Sequence, residues 1–242
     1  MSESEKYLNG LIIRIRKDLQ NSVTEKSKLS FPRFFREPIK FYGISSSDVG
    51  KISKKYREEV TRLNKVNFFK FSEKLFKSDY CEEAFLVSGW APLFSKDFKK
   101  QDIKVFKTWI DKYINNWAKC DGFCNHTIGI FMERYPEFIK ELKVWAKSNN
   151  IWTKRAAAVS LIIPAKNGKY LKDIFDIANL LLLDTNDMVQ KGYGWLLKEA
   201  SRKHEKEVFD YVLKRKAVMP RTALRYAIEL MQPSLKKLAM EK

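Results

Sequence analysis

The chain has 242 residues, 45% of them hydrophobic and 14% aromatic, which suits one domain with a continuous core and leaves two unrelated domains cramped. Only 9 glycines and 7 prolines punctuate long amphipathic runs, a composition that leans towards helix over the turn-rich pattern of β-sandwiches, and an all-α protein is expected. With 47 basic against 29 acidic residues the net charge is +18 and the pI about 9.7, a balance that favours polyanionic partners, nucleic acid first.

The opening Met1-Ser-Glu-Ser-Glu-Lys has no basic segment followed by an apolar one. The longest apolar run, Ile177 to Leu183, is interrupted by Asn179 and falls far short of a bilayer span. A cytoplasmic protein is therefore expected. Cys81, Cys120 and Cys124 are odd in number and fit no disulfide framework, which agrees with a reducing compartment.

Apolar periodicity and stop signals predict helices over Tyr7–Asn21, Ser47–Thr61, Asn67–Lys77, Cys81–Phe94 and Asp102–Trp117. They continue over Gly122–Arg134, Pro136–Ser148, Trp152–Ile163, Tyr170–Leu183, Asp187–Lys203, Glu205–Lys214 and Arg221–Met231. Ser47 and Asp48 are candidate caps, Pro136 suits a first helical turn, and Asp184-Thr-Asn-Asp187 makes a short capped connection. The segment Leu29 to Ile44, LSFPRFFREPIKFYGI, reads as a packed aromatic connector, with Arg33, Arg36 and Lys40 as alternative phosphate contacts. From about Asn67 the helices pair at a spacing of roughly 30–35 residues, the mark of an α-solenoid of antiparallel helix pairs. A single domain over 1–242 is expected, with N-terminal helices and connector over 1–65 and repeats over 66–242. Stacked pairs curve, and one helix of each pair lines a concave, here basic, face that fits a duplex.

Three positions break their helical patterns. On the helix from Asp187, Val189, Tyr193, Leu196 and Ala200 form the apolar face, whereas Trp195 falls in a stripe with Lys191, Lys198 and Arg202. Trp195 either fills a seam between repeats or offers a π-face beside cations to a nucleobase. Arg155 projects between Val159 and Ile162 on a largely apolar helix, so it snorkels to water or meets a carboxylate or phosphate. Asp121 stands one helical turn after Trp117 in Trp117-Ala-Lys-Cys-Asp121; it either caps the helix opening at Gly122 or shares a face with the indole. Arg155 and Asp121 are chemically able to satisfy one another.

These three places also carry a resemblance. Trp117-Ala-Lys-Cys-Asp121, Ile151-Trp-Thr-Lys-Arg155-Ala-Ala and Val189-Gln-Lys-Gly-Tyr-Gly-Trp195-Leu-Leu-Lys-Glu resemble, in order and separation, motifs of the AlkD family of DNA glycosylases. Phe41-Tyr-Gly-Ile44 and Arg225-Tyr-Ala resemble that family's N-terminal region and last repeat, so the likeness spans nearly the whole chain. The resemblance implies a right-handed superhelix of HEAT-like repeats, with Asp121 as catalytic carboxylate, Arg155 as active-site arginine, and Trp117 and Trp195 as lesion-contacting tryptophans. Trp152, inside the second motif, joins them as a substrate-binding candidate, and Lys154, Lys191, Lys198 and Arg202 are candidate phosphate contacts. The implied activity is hydrolytic removal of cationic N3- or N7-alkylated purines from duplex DNA, captured without base flipping, by a cofactor-free monomer. Asn115-Asn116 departs from the pattern, being more polar than the aromatic setting expected before Trp117, and the connector is distinctive.

The chemistry suits a lone carboxylate. Glycosidic cleavage develops oxocarbenium character that Asp121 can stabilise while orienting water, and a purine that is already cationic leaves neutral without a second acid. Other enzyme classes lack their residues: His126 and His204 are too few for a multi-histidine site, Cys120-x3-Cys124 with His126 is no zinc arrangement, and no P-loop, dinucleotide glycine pattern or nucleophile elbow occurs. No metal is expected. The alternative is a non-catalytic helical scaffold that binds branched or damaged DNA, RNA or protein.

Overall fold

A computed structural model describes residues 3–241, and its elements are helical throughout, with no strand among the described residues. The chain forms two compact units whose boundary in sequence lies between Phe123 and Cys124. In the first unit, helices α1 (Glu3–Asn21), α2 (Glu25–Ser30), α3 (Ser46–Thr61), α4 (Lys65–Lys77), α5 (Cys81–Trp90), α6 (Asp102–Tyr113) and α7 (Trp117–Phe123) build two layers. α1, α4 and α6 pack side by side in one layer, and α3, α5 and α7 in the other. An aromatic core joins them: Phe68 stacks on Phe94 at 4.0 Å, and Phe123 of α7 inserts among Phe76, Phe106 and Trp109 at 5.6–5.9 Å.

The second unit opens with a π-helical turn, Cys124–Ile128, followed by α8 (Gly129–Arg134), α9 (Ile139–Trp145), α10 (Ile151–Val159) and α11 (Ile162–Lys166). It continues with α12 (Leu171–Leu181), α13 (Asp187–Ser201), α14 (Glu205–Arg215), α15 (Arg221–Ala227) and α16 (Pro233–Met240). α10, α13 and α15 form one layer; α9 and α12 pack in the other, where Phe175 of α12 stacks on Tyr211 of α14 at 4.6 Å. Helix pairs are thus the repeating unit, as the apolar spacing predicts.

Asparagine caps set the phase of the repeats. Asn116 Oδ1 accepts the Lys119 amide at 3.0 Å, Asn150 Oδ1 that of Trp152 at 2.9 Å, and Asn186 Oδ1 that of Met188 at 2.9 Å. Each satisfies an otherwise orphaned N–H in the first turn of α7, α10 and α13, and the three recur about 35 residues apart.

Several boundaries differ from the sequence expectation for identifiable reasons. Trp117 begins a helix instead of ending one, because Ile114 is extended and the buried Asn116 takes the capping role. Ser45, not Ser47 or Asp48, caps α3, accepting the Asp48 amide at 3.1 Å. α5 stops at Trp90 and gives way to a 3-10 turn, Ala91–Asp97, where Pro92 has no N–H for the helical ladder. Pro164 likewise cannot bond the Ser160 carbonyl, and the expected Trp152–Ile163 helix breaks at Ser160-Leu161. α2 ends in the first two residues of the connector and a 3-10 turn, Phe31–Phe34, follows it; neither α2 nor α16 was anticipated.

Candidate active site

The candidate residues fall on corresponding helices: Trp117 and Asp121 on α7, Trp152, Lys154 and Arg155 on α10, and Trp195 with Lys191 and Lys198 on α13, whose C-cap is Arg202. These are all second helices of their pairs. In the first unit, Cys120 and Phe123 are fully buried, which directs Trp117 and Asp121 to the half-buried flank of α7. Asp121 lies inside the helix and is not a cap. α5 crosses behind it closely, since a Cβ at Gly122 would lie 3.4 Å from Ser88 Oγ.

Lys119, in the middle of this motif, is buried to 1% exposure. Its ammonium donates to the Asp79 carbonyl at 2.8 Å, to Asp79 Oδ1 at 2.5 Å and to Asn115 Oδ1 at 3.0 Å. All three protons find acceptors, so the charge is compensated and α7 is fastened to the turn before α5. Asp79 is in the left-handed region at φ 66°, which brings its carbonyl and carboxylate to the same ammonium. In that polar surrounding burial pushes the Cys81 thiol up to about 11, so it stays protonated at neutral pH.

The Trp117 indole is held from the connector. Its N–H donates to the Phe34 carbonyl at 3.1 Å, and its ring stacks on Phe35 at 5.5 Å with 22° between planes. Phe31 supports Phe35 at 5.3 Å and also touches Phe41 and Phe85. The connector is itself pinned by two buried carboxylates. Glu82 accepts the amides of Tyr42, Gly43 and Ile44 at 3.0–3.4 Å, while Glu83 accepts Arg16 at 2.9 Å and the Tyr42 hydroxyl at 2.7 Å. Gly43 is required here: at φ +94° a Cβ would lie 2.5 Å from Lys28 Cγ. Lys40 donates to the Ser78 carbonyl at 2.9 Å and lies over the Tyr80 ring at 4.5 Å, while Arg33 is exposed.

In the second unit Arg155 is 5% exposed, so it does not snorkel to water. Its Nη1 donates to the Met188 carbonyl at 2.5 Å, and its side chain lies against α13 where Gly192 leaves room. A Cβ at Gly192 would approach Arg155 Cγ to 3.3 Å. Two residues on, a Cβ at Gly194 would come within 2.8 Å of the Ala223 carbonyl oxygen on α15. Gly192-Tyr-Gly194 therefore seats α10 and α15 against opposite sides of α13.

Trp195 is half-buried, and its N–H donates to Glu199 Oε1 at 3.3 Å; Arg202 holds the other oxygen of this buried carboxylate at 2.5 Å. Trp152 is buried to 8% exposure. The remaining basic candidates are each paired: Lys154 with Asp184 at 2.6 Å, Lys191 with Asp187 at 2.8 Å, Lys198 with Glu229 at 3.0 Å.

The helical fold has counterparts among known proteins. A family model described as DNA alkylation repair enzyme matches residues 15–231. The chain belongs to this DNA alkylation repair family. A solved structure of a predicted DNA alkylation repair enzyme from Enterococcus faecalis is similar at TM-score 0.78 with 14% identity, covering 88% of this chain and 98% of that one. At such identity the likeness is one of fold. No protein among those with curated functions matches the chain.

Within this repair-family chain, sequence reasoning missed Lys119, the Phe34–Phe35 hold on Trp117, and Glu199 as the partner of Trp195. Glu199 alone left a local signal, an acid one helical turn after the indole.

Proposed function

We propose that this member of the DNA alkylation repair family is a DNA glycosylase that hydrolyses the N-glycosidic bond of cationic N3- or N7-alkylated purines in duplex DNA. The observation that carries the reading is Asp121, an aspartate inside α7 on the same half-buried flank as Trp117. Helix propensity gives no reason for it there, because aspartate is a poor interior residue and Asn116 already supplies the cap. A carboxylate one turn from an indole suits a cationic substrate: the π-face attracts the charged base and the acid faces the developing charge on the sugar.

In the step proposed, the bond between the purine nitrogen and C1′ breaks and its electron pair passes to the purine, which leaves neutral. Asp121 stabilises the oxocarbenium-like sugar and orients the water that adds to C1′; the water's surplus proton passes to the carboxylate and then to solvent. For Trp195 and Arg155 the support is the resemblance, which implies a lesion-contacting tryptophan and an active-site arginine; Arg155 is fixed on α13 by Met188 and Gly192. Fully buried Cys81, Cys120 and Cys124 have no part in this chemistry.

The test is release of 7-methylguanine and 3-methyladenine from alkylated duplex DNA by wild type and Asp121→Asn. Loss of one transition-state electrostatic interaction typically costs about 100-fold or more, so excision should fall at least that far while duplex binding persists. A wild type that binds duplex but releases neither base, or an Asp121→Asn variant as active as wild type, refutes the glycosylase reading.

A further inference from the structure

We propose that Phe35 is a positioning residue: the Phe31–Phe35 turn exists to fix the plane and edge of the Trp117 indole, so that a damaged base meets that indole on one defined face. The proposal rests on the glycosylase reading for its consequence but not for its geometry.

Two constraints from a single short segment act on one ring. The Phe34 carbonyl, 3.1 Å from the indole nitrogen, fixes the direction of the ring edge, and the Phe35 ring, 5.5 Å away and inclined by 22°, fixes its plane. A hydrogen bond alone leaves the ring free to pivot about the donor direction; a stack alone leaves it free to slide. Together they remove both freedoms. Because Phe35 occupies one π-face of Trp117, a base stacking on this indole does so on the opposite face.

Packing does not account for the turn. Phe34 is 68% exposed and no residue of the Phe31–Phe34 turn is buried, so this segment contributes little core. The end of the same connector, Tyr42 to Ile44, is by contrast firmly anchored. Glu82 gathers three consecutive connector amides, and the Glu83–Tyr42–Arg16 cluster ties the same stretch to α1 and α5. The turn reaches that anchored end through Phe31, which packs on Phe41 and on Phe35, and from there the Phe34 carbonyl and the Phe35 ring meet Trp117.

The experiment labels the protein with 5-fluorotryptophan and assigns the Trp117 fluorine line through Trp117→Phe; Phe35→Leu and Phe35→Tyr are then compared with wild type. Phe35→Leu should shift and broaden the Trp117 line, leave the lines of the other five tryptophans and the melting temperature nearly unchanged, and slow single-turnover excision about tenfold, the scale of one lost aromatic pair. Phe35→Tyr, which keeps the stack, should restore both the line and the rate. An unmoved Trp117 line in Phe35→Leu overturns the proposal, as does a moved line with unchanged excision. Asp121→Asn, measured alongside, separates the two readings: full excision in that variant sinks the glycosylase assignment, while the fluorine line still decides whether Phe35 orients Trp117.

Discussion

Adding a single methyl group at two glycines of α13 separates the fold from the function. At Gly194 a Cβ would lie 2.7 Å from Tyr226 Cβ and 2.8 Å from the Ala223 carbonyl oxygen, distances that real Cβ atoms do not tolerate, and one obstacle is backbone. α13 and α15 must therefore move apart. Overpacking of this kind costs about 1–3 kcal/mol, and the upper half of that range applies because no flexible side-chain end can yield. Alanine in a helix regains about 1 kcal/mol over glycine, leaving a net loss of about 1–2 kcal/mol for Gly194→Ala and a melting temperature lower by roughly 2–8 °C. At Gly192 the nearest atom is Arg155 Cγ at 3.3 Å, with Nη1 at 3.7 Å, so only a side chain must give, by a few tenths of an ångström. There the propensity gain nearly cancels the crowding, and Gly192→Ala should melt within about 0.5 kcal/mol of wild type. The displaced guanidinium, however, should lower excision. Thermal melts followed by circular dichroism, with single-turnover excision on the same preparations, make the comparison. A Gly194→Ala protein as stable as wild type, or a Gly192→Ala protein that loses stability while keeping full activity, refutes the reasoning.

Two further outcomes follow from the way α7 and the connector are anchored. Asn116→Ala removes the α7 cap at a buried position and should cost about 1–2 kcal/mol in chemical denaturation, with Asn116→Ser recovering part of it; no change would mean that α7 does not depend on this cap. Tyr42 has its phenol pushed far above the ordinary range, by burial first and then by its hydrogen bond to Glu83. A raised folded-state value means that this contribution is complete below the unfolded tyrosine value of about 10 and is lost as pH rises beyond it. Stability should fall steeply above about pH 10, less steeply in Tyr42→Phe, and an unchanged alkaline slope in that variant would count against the coupling.

The fold was legible because its signal is local. Val189, Tyr193, Leu196 and Ala200, spaced as one helical face, are all fully buried, and the helix pairs fall where that periodicity puts them. What escaped was pairing over long separations. Trp117 and Phe34 are 83 positions apart and Lys119 and Asp79 are 40 apart; no periodicity encodes which carbonyl an indole or an ammonium will find. Asn116 was visible but read only as a polar departure from an aromatic setting. Its meaning as a cap depends on the chain extending at Ile114, which follows from how α6 ends and not from the asparagine itself. Gly192 and Gly194 were likewise visible, yet a glycine in a helix tells of close approach only once the neighbouring helix is known.

Net charge, by contrast, says nothing of which cations are paired with acids. Lys191, Lys198 and Arg202 in the stripe with Trp195, and Lys154 on α10, were candidate phosphate contacts in a chain of net charge +18, and each of them stands against a carboxylate. A cation within 3.0 Å of an acid adds little field at the distance of an approaching phosphate, because the pair presents a dipole and not a charge. Handing such a cation to phosphate also strands its carboxylate beside a polyanion, which opposes the exchange. Around Trp195 these pairs do something else: Arg202 holds Glu199, Glu199 receives the indole N–H, and the ring is thereby oriented. Trp117 reaches the same condition through a carbonyl and a phenylalanine. Two tryptophans restrained at their N–H by unrelated partners, on helices of the same layer type, point to ring orientation as the requirement that the surrounding charges and aromatics serve.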